Sequence, residues 1–441
     1  MSELDIAKLK PSAFFGAPYV SGDMDATVRD ILSRHEGVLR AAGTDEYSLG
    51  RFRTAAFNFV PVWLSLGIDL RKLTALEIGC GRGLKGLAWA GLFDRYIGVD
   101  LDATEIDRGR ALLRPTCRSP DDLILGNAVD VIGRPGGFGI EGVDVLVLYA
   151  ILEHLTPEER IEIFRLAREM YARGKIVLVA ESPNRLYPFD HHSTHMHFVQ
   201  MLPDDLARQY LKRSPNESMH AFARSQDPAE ARTQLYRSGR ALSYHDFEVH
   251  FMDLDRMRIA ADGYAAPLLA MQAPVRAELD VLAYLQNNEL AVPRGFSRAW
   301  LDFMLWKDAP AVAAKSIRLL PPVGMPPECL MKFWQLDRYT PDRAPDRTMI
   351  FEVPGRSARV GPRVGYLILE GDDPASAIDL LLDGQAVTTA RTSELRQMRP
   401  PTWHSKHLLP VALPDQEAVV TVRARHDAPA AGVHGLLIDE P

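Results

Sequence analysis

Residues able to do chemistry gather in three short stretches. The first is Leu76-Glu77-Ile78-Gly79-Cys80-Gly81-Arg82-Gly83, an apolar run ending in a carboxylate and a glycine-rich turn. Such a turn lets a ligand approach main-chain N–H groups where side chains are missing. The second is Asp100, which closes Tyr96-Ile97-Gly98-Val99-Asp100. A carboxylate at the end of the strand after such a turn can accept from both hydroxyls of a ribose. Together these two predict a cofactor containing adenosine. The third is titratable: Glu153-His154, and the run from Asp190 through His191, His192 and His195 to His197, which holds four of the chain's 13 histidines. Imidazole, with an unperturbed pKa of about 6.5, suits proton abstraction or metal ligation.

Gly81-Arg82-Gly83-Leu84-Lys85-Gly86 also fits the dinucleotide pattern G-x-G-x-x-G, which is weak when it stands alone. Glu77 decides between the two readings. A carboxylate aimed into a pyrophosphate pocket repels the anion, but it suits a cofactor bearing a sulfonium and an ammonium, S-adenosyl-L-methionine. At this point the chain resembles class I S-adenosylmethionine-dependent methyltransferases of the type 11/12-like kind. Glu77 to Gly83 resembles their motif I, and Asp100 matches the acidic ribose ligand. Gly126-Asn127-Ala128-Val129-Asp130 resembles the G-D-A-x-D segment that frames the adenine, with Asn127 in place of the usual Asp. The run Val143 to Leu155 resembles the fourth motif. The resemblance covers about residues 47–308. It implies a cofactor site drawn from Glu77, Gly79, Cys80, Gly81, Gly83, Asp100, Leu101, Asn127, Ala128 and Tyr149.

Methyl transfer from a sulfonium needs close, in-line approach of the acceptor, exclusion of water and, for an oxygen acceptor, removal of a proton. The acceptor pocket is expected beyond the C-terminal ends of strands four and five. His154, Asp190, His191 and His192 are the candidate catalytic residues. Plainer readings stand beside them: His154 as a helix cap or as packing under the adenosine, Asn184 and Asp190 as turn formers, and Arg185 as a partner of Asp190. Pro183-Asn184-Arg185, with Pro188, Asp190 and His192, resembles a subset of methyltransferases from bacterial surface-glycan clusters. That implies a sugar or glycan hydroxyl as acceptor. A small aromatic or polyketide-like metabolite, an RNA end, or a non-catalytic cofactor-binding assembly protein are the alternatives. Some RNA and quinone O-methyltransferases carry E-x-x-E-H here with a distal histidine and bind a divalent ion. Ala150 stands where the first Glu belongs, so no metal is the expectation, and Glu153, His154 and His192 form the alternative ligand set.

The elements that must position these residues follow from apolar runs alternating with amphipathic ones. Strands are expected at 74–79, 95–100, 122–126, 143–149 and 175–181, and helices at 84–92, 103–113, 157–172 and 203–211. Further strands are expected at 247–252 and 300–306, with helices at 254–263 and 274–285. This predicts an α/β fold, a doubly wound Rossmann-like seven-stranded methyltransferase sheet, over residues 46–310. A helical arm (1–45) precedes it. A polar insertion (about 203–245), a candidate lid, interrupts it, and Tyr244 and His245 at its end are candidates for the acceptor pocket or for a surface helix capped by Ser243. A Pro-rich linker (311–340) and a β-sandwich domain (341–441) follow; Trp334, Tyr339, Trp403, His404 and His407 in this part are a candidate sugar-stacking surface or packing. The chain has 441 residues, too many for one ordinary core. Its net charge of -7 gives no global basic field for an extended nucleic acid. Three cysteines without metal or disulfide spacing, an N-terminus without a signal-like apolar core and no apolar run of membrane-spanning length predict a cytoplasmic protein. The sandwich is a candidate surface for homo-oligomerisation.

Overall fold

The computed structural model describes residues 22–114, 120–133, 139–224, 227–251, 254, 256–265, 268, 274, 276–309, 316–320, 323, 348–356, 363–370, 375–391, 406–429 and 432–440. Two compact units divide the chain: one comprises Asp30–Gly263 and Ala291–Ala314, the other Met1–Arg29, Tyr264–Leu290 and Lys315–Pro441.

The first unit is built on β1 (Thr74–Ile78), β2 (Arg95–Asp100), β3 (Leu123–Leu125), β4 (Val145–Tyr149), β5 (Ile176–Pro183), β6 (Ile259–Asp262) and β7 (Trp300–Leu305). They form one sheet in the order β3-β2-β1-β4-β5-β7-β6. β1 to β5 pair in parallel, and β7 enters antiparallel between β5 and β6. This is the doubly wound Rossmann-like methyltransferase sheet. Its inner strands are apolar on both faces because helices cover both: β4 is buried at every position. Leu76, Ile97, Leu146, Leu148, Val177 and Phe303 share one core with Phe164 and Phe247. The chain leaves β1 toward β2 and β3, then returns across to β4 and β5. The crevice for a ligand therefore opens at the C-terminal ends of β1 and β4.

Local chemistry explains the helices that flank this crevice. Glu46–Ser65 starts where the Asp45 carboxylate accepts from Ser48 N at 2.9 Å, and it buries Phe52, Phe59 and Trp63. Pro157–Ala172 starts with a reciprocal cap between Thr156 and Glu159 and with Pro157 in its first turn.

Four expectations need correction. The helix expected over 84–92 is two short 3₁₀ turns, Gly86–Ala88 and Ala90–Leu92. The strand expected over 247–252 is the helix Tyr244–Phe251, whose Phe247 packs edge-on against Phe164, Phe296 and Phe303. The helix expected over 254–263 gives way to β6. The region read as linker contains β8 (Ser316–Leu320).

The polar insertion carries the helices Asp204–Tyr210 and Pro228–Arg237 around a small core of Ala207, Leu211, Met219, Ala223 and Leu235. In the second unit, β8 joins β9 (Thr348–Val353), β10 (Arg363–Glu370), β11 (Ala377–Leu382), β12 (Gln385–Arg391), β13 (Lys406–Leu413), β14 (Ala418–Ala424) and β15 (Gly432–Glu440). They make two antiparallel four-stranded sheets, ordered β13-β10-β15-β8 and β12-β11-β14-β9, with one shared core. The helix Arg276–Asn287 belongs to this unit. Leu279 and Leu282, with Tyr264, pack against Tyr366, Ile368 and Leu437. Of the stacking residues expected here, Trp334, Tyr339, Trp403 and His404 lie outside the described residues, as do residues 1–21 of the N-terminal arm. Among the described residues no helix is long and apolar enough to cross a membrane.

Candidate active site

The glycine turn after β1 is held open by backbone geometry. Gly79, Gly81 and Gly83 have φ of 71°, 53° and 72°, a region that favours glycine. A β-carbon on Gly79 or Gly83 would lie 2.4 Å from the side chain of Ile151 or Leu113, so packing accounts for those two. At Gly81 nothing lies within 4 Å, and the backbone there is open to a ligand. Asp100 clamps the turn: its Oδ2 accepts from Gly81 N at 2.6 Å and its Oδ1 from Asp102 N at 2.9 Å. Leu125 pairs in register with Asp100. Leu125 and Leu101 are 52% and 65% exposed, so two bare apolar side chains stand at the ends of β2 and β3, and Asn127 beside them is exposed. Cys80 and Ala128 are buried and offer a ligand only backbone; burial also pushes the Cys80 thiol well above its usual pKa.

Two expected cofactor contacts are placed differently by the structure. Tyr149 is fully enclosed, its ring 5.3 Å from Phe59 and 5.5 Å from Trp89 between centroids. Its side chain is core and does not face a ligand. Glu77 is also fully buried. Its Oε2 accepts from the Tyr96 hydroxyl at 2.7 Å, while Oε1 has no hydrogen-bond partner. Burial raises its pKa to about 7 against the opposing pull of Lys85 and the Tyr96 hydrogen bond, and the Asp100 charge adds to the rise. Gly86 makes room for this arrangement, because a β-carbon there would lie 2.2 Å from the Tyr96 hydroxyl. Lys85, which the sequence did not single out, donates from Nζ to Tyr149 O at 3.0 Å and lies 4.1 Å from that ring's centroid. Burial and nearby Arg51 lower its pKa, and Glu77, Glu181 and Glu153 hold it up. Arg51, also unforeseen, reaches Glu181 at 3.4 Å from the Glu46–Ser65 helix. A lysine between Leu84 and Gly86, in an otherwise apolar run, was the available signal.

The second cluster grows from the ends of β4 and β5. Ala150, just past β4, and Glu181, inside β5 where its register with β7 shifts, are non-glycine residues at φ 49° and 51°. Strained positions of this kind collect at functional sites. Glu153 follows in a single 3₁₀ turn and is fully buried. Its Oε2 accepts from Ser182 Oγ at 3.3 Å, and its Oε1 has no partner. Toward that bare oxygen point His154 Nε2 at 3.9 Å and His192 Nε2 at 3.7 Å. One ligand atom from each of the three lies within 4.8 Å of the others. Burial raises the Glu153 pKa, opposed chiefly by His192, and lowers both imidazoles. His154 Nδ1 lies 3.0 Å from Arg237 O, and His192 Nδ1 lies 2.6 Å from Ser193 Oγ. Arg160 is buried below, donating to Glu153 O at 3.2 Å, to Leu155 O at 3.1 Å and to Arg240 O.

Asp190, expected as a catalytic candidate, instead organises the loop. Its two oxygens accept from His192 N, Ser193 N, Thr194 N, Thr194 Oγ1 and Gln200 Nε2, at 2.7 to 3.2 Å. A carboxylate so occupied has no lone pair left for a substrate proton. Asn184 is likewise a turn former, donating to Phe296 O and Arg298 O and accepting from Leu186 N. Arg185 approaches Asp204 at 3.9 Å, not Asp190. His191 stands apart from the convergent trio, with Phe189 at 4.6 Å and Tyr187 at 5.8 Å between ring centroids. It lines a small pocket with Pro183, Phe189, His192 and Trp300.

No protein-family model matches the sequence, and no curated protein matches it. Solved structures do. PKMT2 from Rickettsia typhi aligns at 14% identity and TM-score 0.33 over 66% of this chain and 60% of that one; its complex with AdoHcy aligns over 68% and 61%. This chain thus spans about 60% of that protein's length. The methyltransferase domain of bacterial CtHen1 aligns at 22% identity and TM-score 0.25 over 32% of this chain and 71% of that one. An S-adenosylmethionine-dependent methyltransferase from Clostridium acetobutylicum aligns at 12% identity and TM-score 0.25 over 31% and 52%. These are distant similarities; the fold assignment rests on the strand order of this chain.

Proposed function

We propose that the chain is an S-adenosylmethionine-dependent O-methyltransferase acting on a sugar or glycan hydroxyl. The observation that carries this reading is the pairing of two sites on adjacent strand ends: an open glycine turn clamped by Asp100, and a buried carboxylate faced by two imidazoles. The residues present fit the cofactor. Asp100 suits the ribose, the exposed Leu101 and Leu125 suit the two faces of an adenine, and Glu77 and Glu181, both near enough to Lys85 to hold up its charge, supply negative potential for a sulfonium. When bound, the cofactor supplies an activated methyl group and leaves as a neutral thioether. The chain's own work is then to orient the acceptor and take its proton. His154 and His192, kept neutral by burial, each hold a nitrogen lone pair for that proton, and Glu153 stabilises the resulting imidazolium. Trp300, whose ring lies 5.9 Å from that of His192, and Phe189, which lines the same small pocket, are rings of the kind a pyranose stacks on.

A second reading of the same trio is favoured by its donor set. Glu153 Oε1 has no hydrogen donor, and two Nε2 atoms converge on it. Three lone pairs aimed at one point repel unless a cation lies among them. One carboxylate and two imidazoles suit a borderline divalent ion such as Zn²⁺ or Mn²⁺ better than Mg²⁺. Bound there, such an ion would ease deprotonation of an acceptor hydroxyl.

The test pairs methyl-labelled cofactor with fractionated metabolites and glycans, using wild type, His154→Ala and His192→Ala, with and without chelator. Calorimetry runs alongside with S-adenosylhomocysteine and with NAD(P). The reading expects label in a hydroxyl-bearing acceptor, lost in both variants, with homocysteine-nucleoside binding retained. Chelator-sensitive transfer selects the metal reading. Tight NAD(P) binding with no binding of the sulfonium nucleotide would overturn the assignment. Cofactor binding without any transfer would mark a non-catalytic binding protein.

A further inference from the structure

We infer that Arg237-Ser238-Gly239-Arg240, the turn that closes the Pro228–Arg237 helix of the polar insertion, is the positioning element that sets the tautomer of both site histidines and presents their Nε2 lone pairs to Glu153. The inference deepens the proposed function and names residues that reading does not need.

Each of the four residues touches the trio or its immediate support. Arg237 O lies 3.0 Å from His154 Nδ1. A carbonyl oxygen can only accept, so Nδ1 carries the hydrogen and Nε2 keeps its lone pair. The Arg237 guanidinium closes a ring around this contact, donating to His154 O at 2.6 Å and to both Glu159 oxygens at 2.8 and 2.7 Å. Ser238 O accepts from Ser193 Oγ at 2.7 Å. That bond uses the serine's one hydrogen, so Ser193 Oγ can only accept from His192 Nδ1, 2.6 Å away. His192 is thereby fixed in the same tautomer as His154. Gly239 lies at φ 103°, and a β-carbon there would sit 2.5 Å from His192 Nδ1 and 2.4 Å from Ser193 Oγ. The imidazole can rest against the turn only because this residue is glycine. Arg240 N donates to Glu153 O at 2.8 Å, fixing the backbone of the third member. The turn is itself anchored: Gly239 O accepts from Gln200 Nε2 at 3.1 Å, and the Arg240 guanidinium holds Asp204 Oδ1 at 3.1 Å and Val199 O at 3.2 Å.

A neutral imidazole offers one N–H and one lone pair, and the partner of one nitrogen decides what the other can do. Two histidines from different strand ends would share a tautomer by chance only part of the time. Here one short turn imposes the same choice on both, whether the lone pairs then take a proton or a metal ion. The insertion expected to act as a lid thus has a positioning task, which a sequence reading of its composition does not reveal.

The experiment is a ¹⁵N–¹H multiple-bond correlation on the full chain labelled with [¹⁵N]histidine, recorded at about pH 8, where lowered imidazole pKa values leave both rings neutral. His154→Gln and His192→Gln identify the two resonance sets. Wild type is expected to show the Nδ1–H pattern for both rings. Ser193→Ala should move His192 to a mixture of tautomers and leave His154 unchanged, and Ser193→Thr should restore it. Gly239→Ala should displace His192, and if that variant does not fold, the Ser193 pair carries the test. Methyl transfer should fall at least about tenfold in turnover for Ser193→Ala, with cofactor affinity unchanged. An Nε2–H pattern in wild type, or a His192 pattern indifferent to Ser193→Ala, would overturn the inference. The expected patterns in a protein that transfers no methyl group would leave this inference standing and sink the proposed activity.

Discussion

Glu77→Gln separates what the buried carboxylate costs the fold from what it contributes to binding. Glu77 is fully buried with one oxygen unpartnered, and its pKa rises from 4.5 to about 7, chiefly through desolvation. For a carboxyl raised in the folded state, the protonated form is the one the fold prefers. The associated stability is fully present below the unfolded value and is lost as pH climbs through about 7. At ~1.4 kcal/mol per pH unit, the displacement corresponds to about 3 kcal/mol. Glutamine has the same shape and keeps an acceptor for the Tyr96 hydroxyl, but it cannot ionise. The variant should therefore exceed wild type by no more than about 1 kcal/mol at pH 5 and by about 3 kcal/mol at pH 8. Its affinity for a sulfonium nucleotide should fall increasingly below that of wild type over the same range, because only wild type gains a carboxylate charge. Urea unfolding at intervals from pH 5 to 8, with calorimetric cofactor titration at each pH, measures both; the second unit is common to the two proteins and cancels. Parallel stability profiles, or a variant weaker than wild type at pH 8, would refute the reasoning.

Three further outcomes are expected. Asp100→Ala leaves Gly81 N and Asp102 N without their acceptor and should weaken adenosine-cofactor binding about 10- to 100-fold, read by calorimetry, with a stability loss of about 1–3 kcal/mol. Leu101→Asp alters a side chain 65% exposed, so unfolding should shift by less than about 0.5 kcal/mol while cofactor affinity drops; unchanged affinity would remove the adenine from that slot. Arg160→Met strips the donors from buried carbonyls of Glu153, Leu155 and Arg240 and should cost about 3 kcal/mol or more in urea melts.

The first five strands were legible because each is an apolar run long enough to declare itself and bounded by turn residues. Of the remaining two, β7 lies where a strand was expected, at 300–306, and only β6 was missed. Phe247–Phe251 alternates apolar and polar residues like a strand, yet Phe247 finds its place through three aromatic neighbours distant in sequence. β6, Ile259–Asp262, is short and alanine-containing; pairing with β7, not local preference, makes it a strand. The expected helix after the glycine turn breaks into 3₁₀ turns where Gly86 yields to Tyr96. In the site, residue types gave Glu153, His154 and His192 as a set. Asp190 could not be told from a base, because its five donors come from backbone and side chains folded around it. Lys85, Arg51 and Ser193 carry no motif, and only the fold gives them their neighbours.

The segment Tyr264–Leu290 joins β6 to β7, yet its helix lays Leu279 and Leu282 on the strands of the second unit. A chain cut back to its first 314 residues would keep every strand of the seven-stranded sheet and still strand an oily helix inside a hairpin connection. Poor solubility of such a fragment would then report a missing partner for that helix, and would say nothing against the fold of the portion retained. Any dissection of this protein has to remove the excursion and the sandwich together.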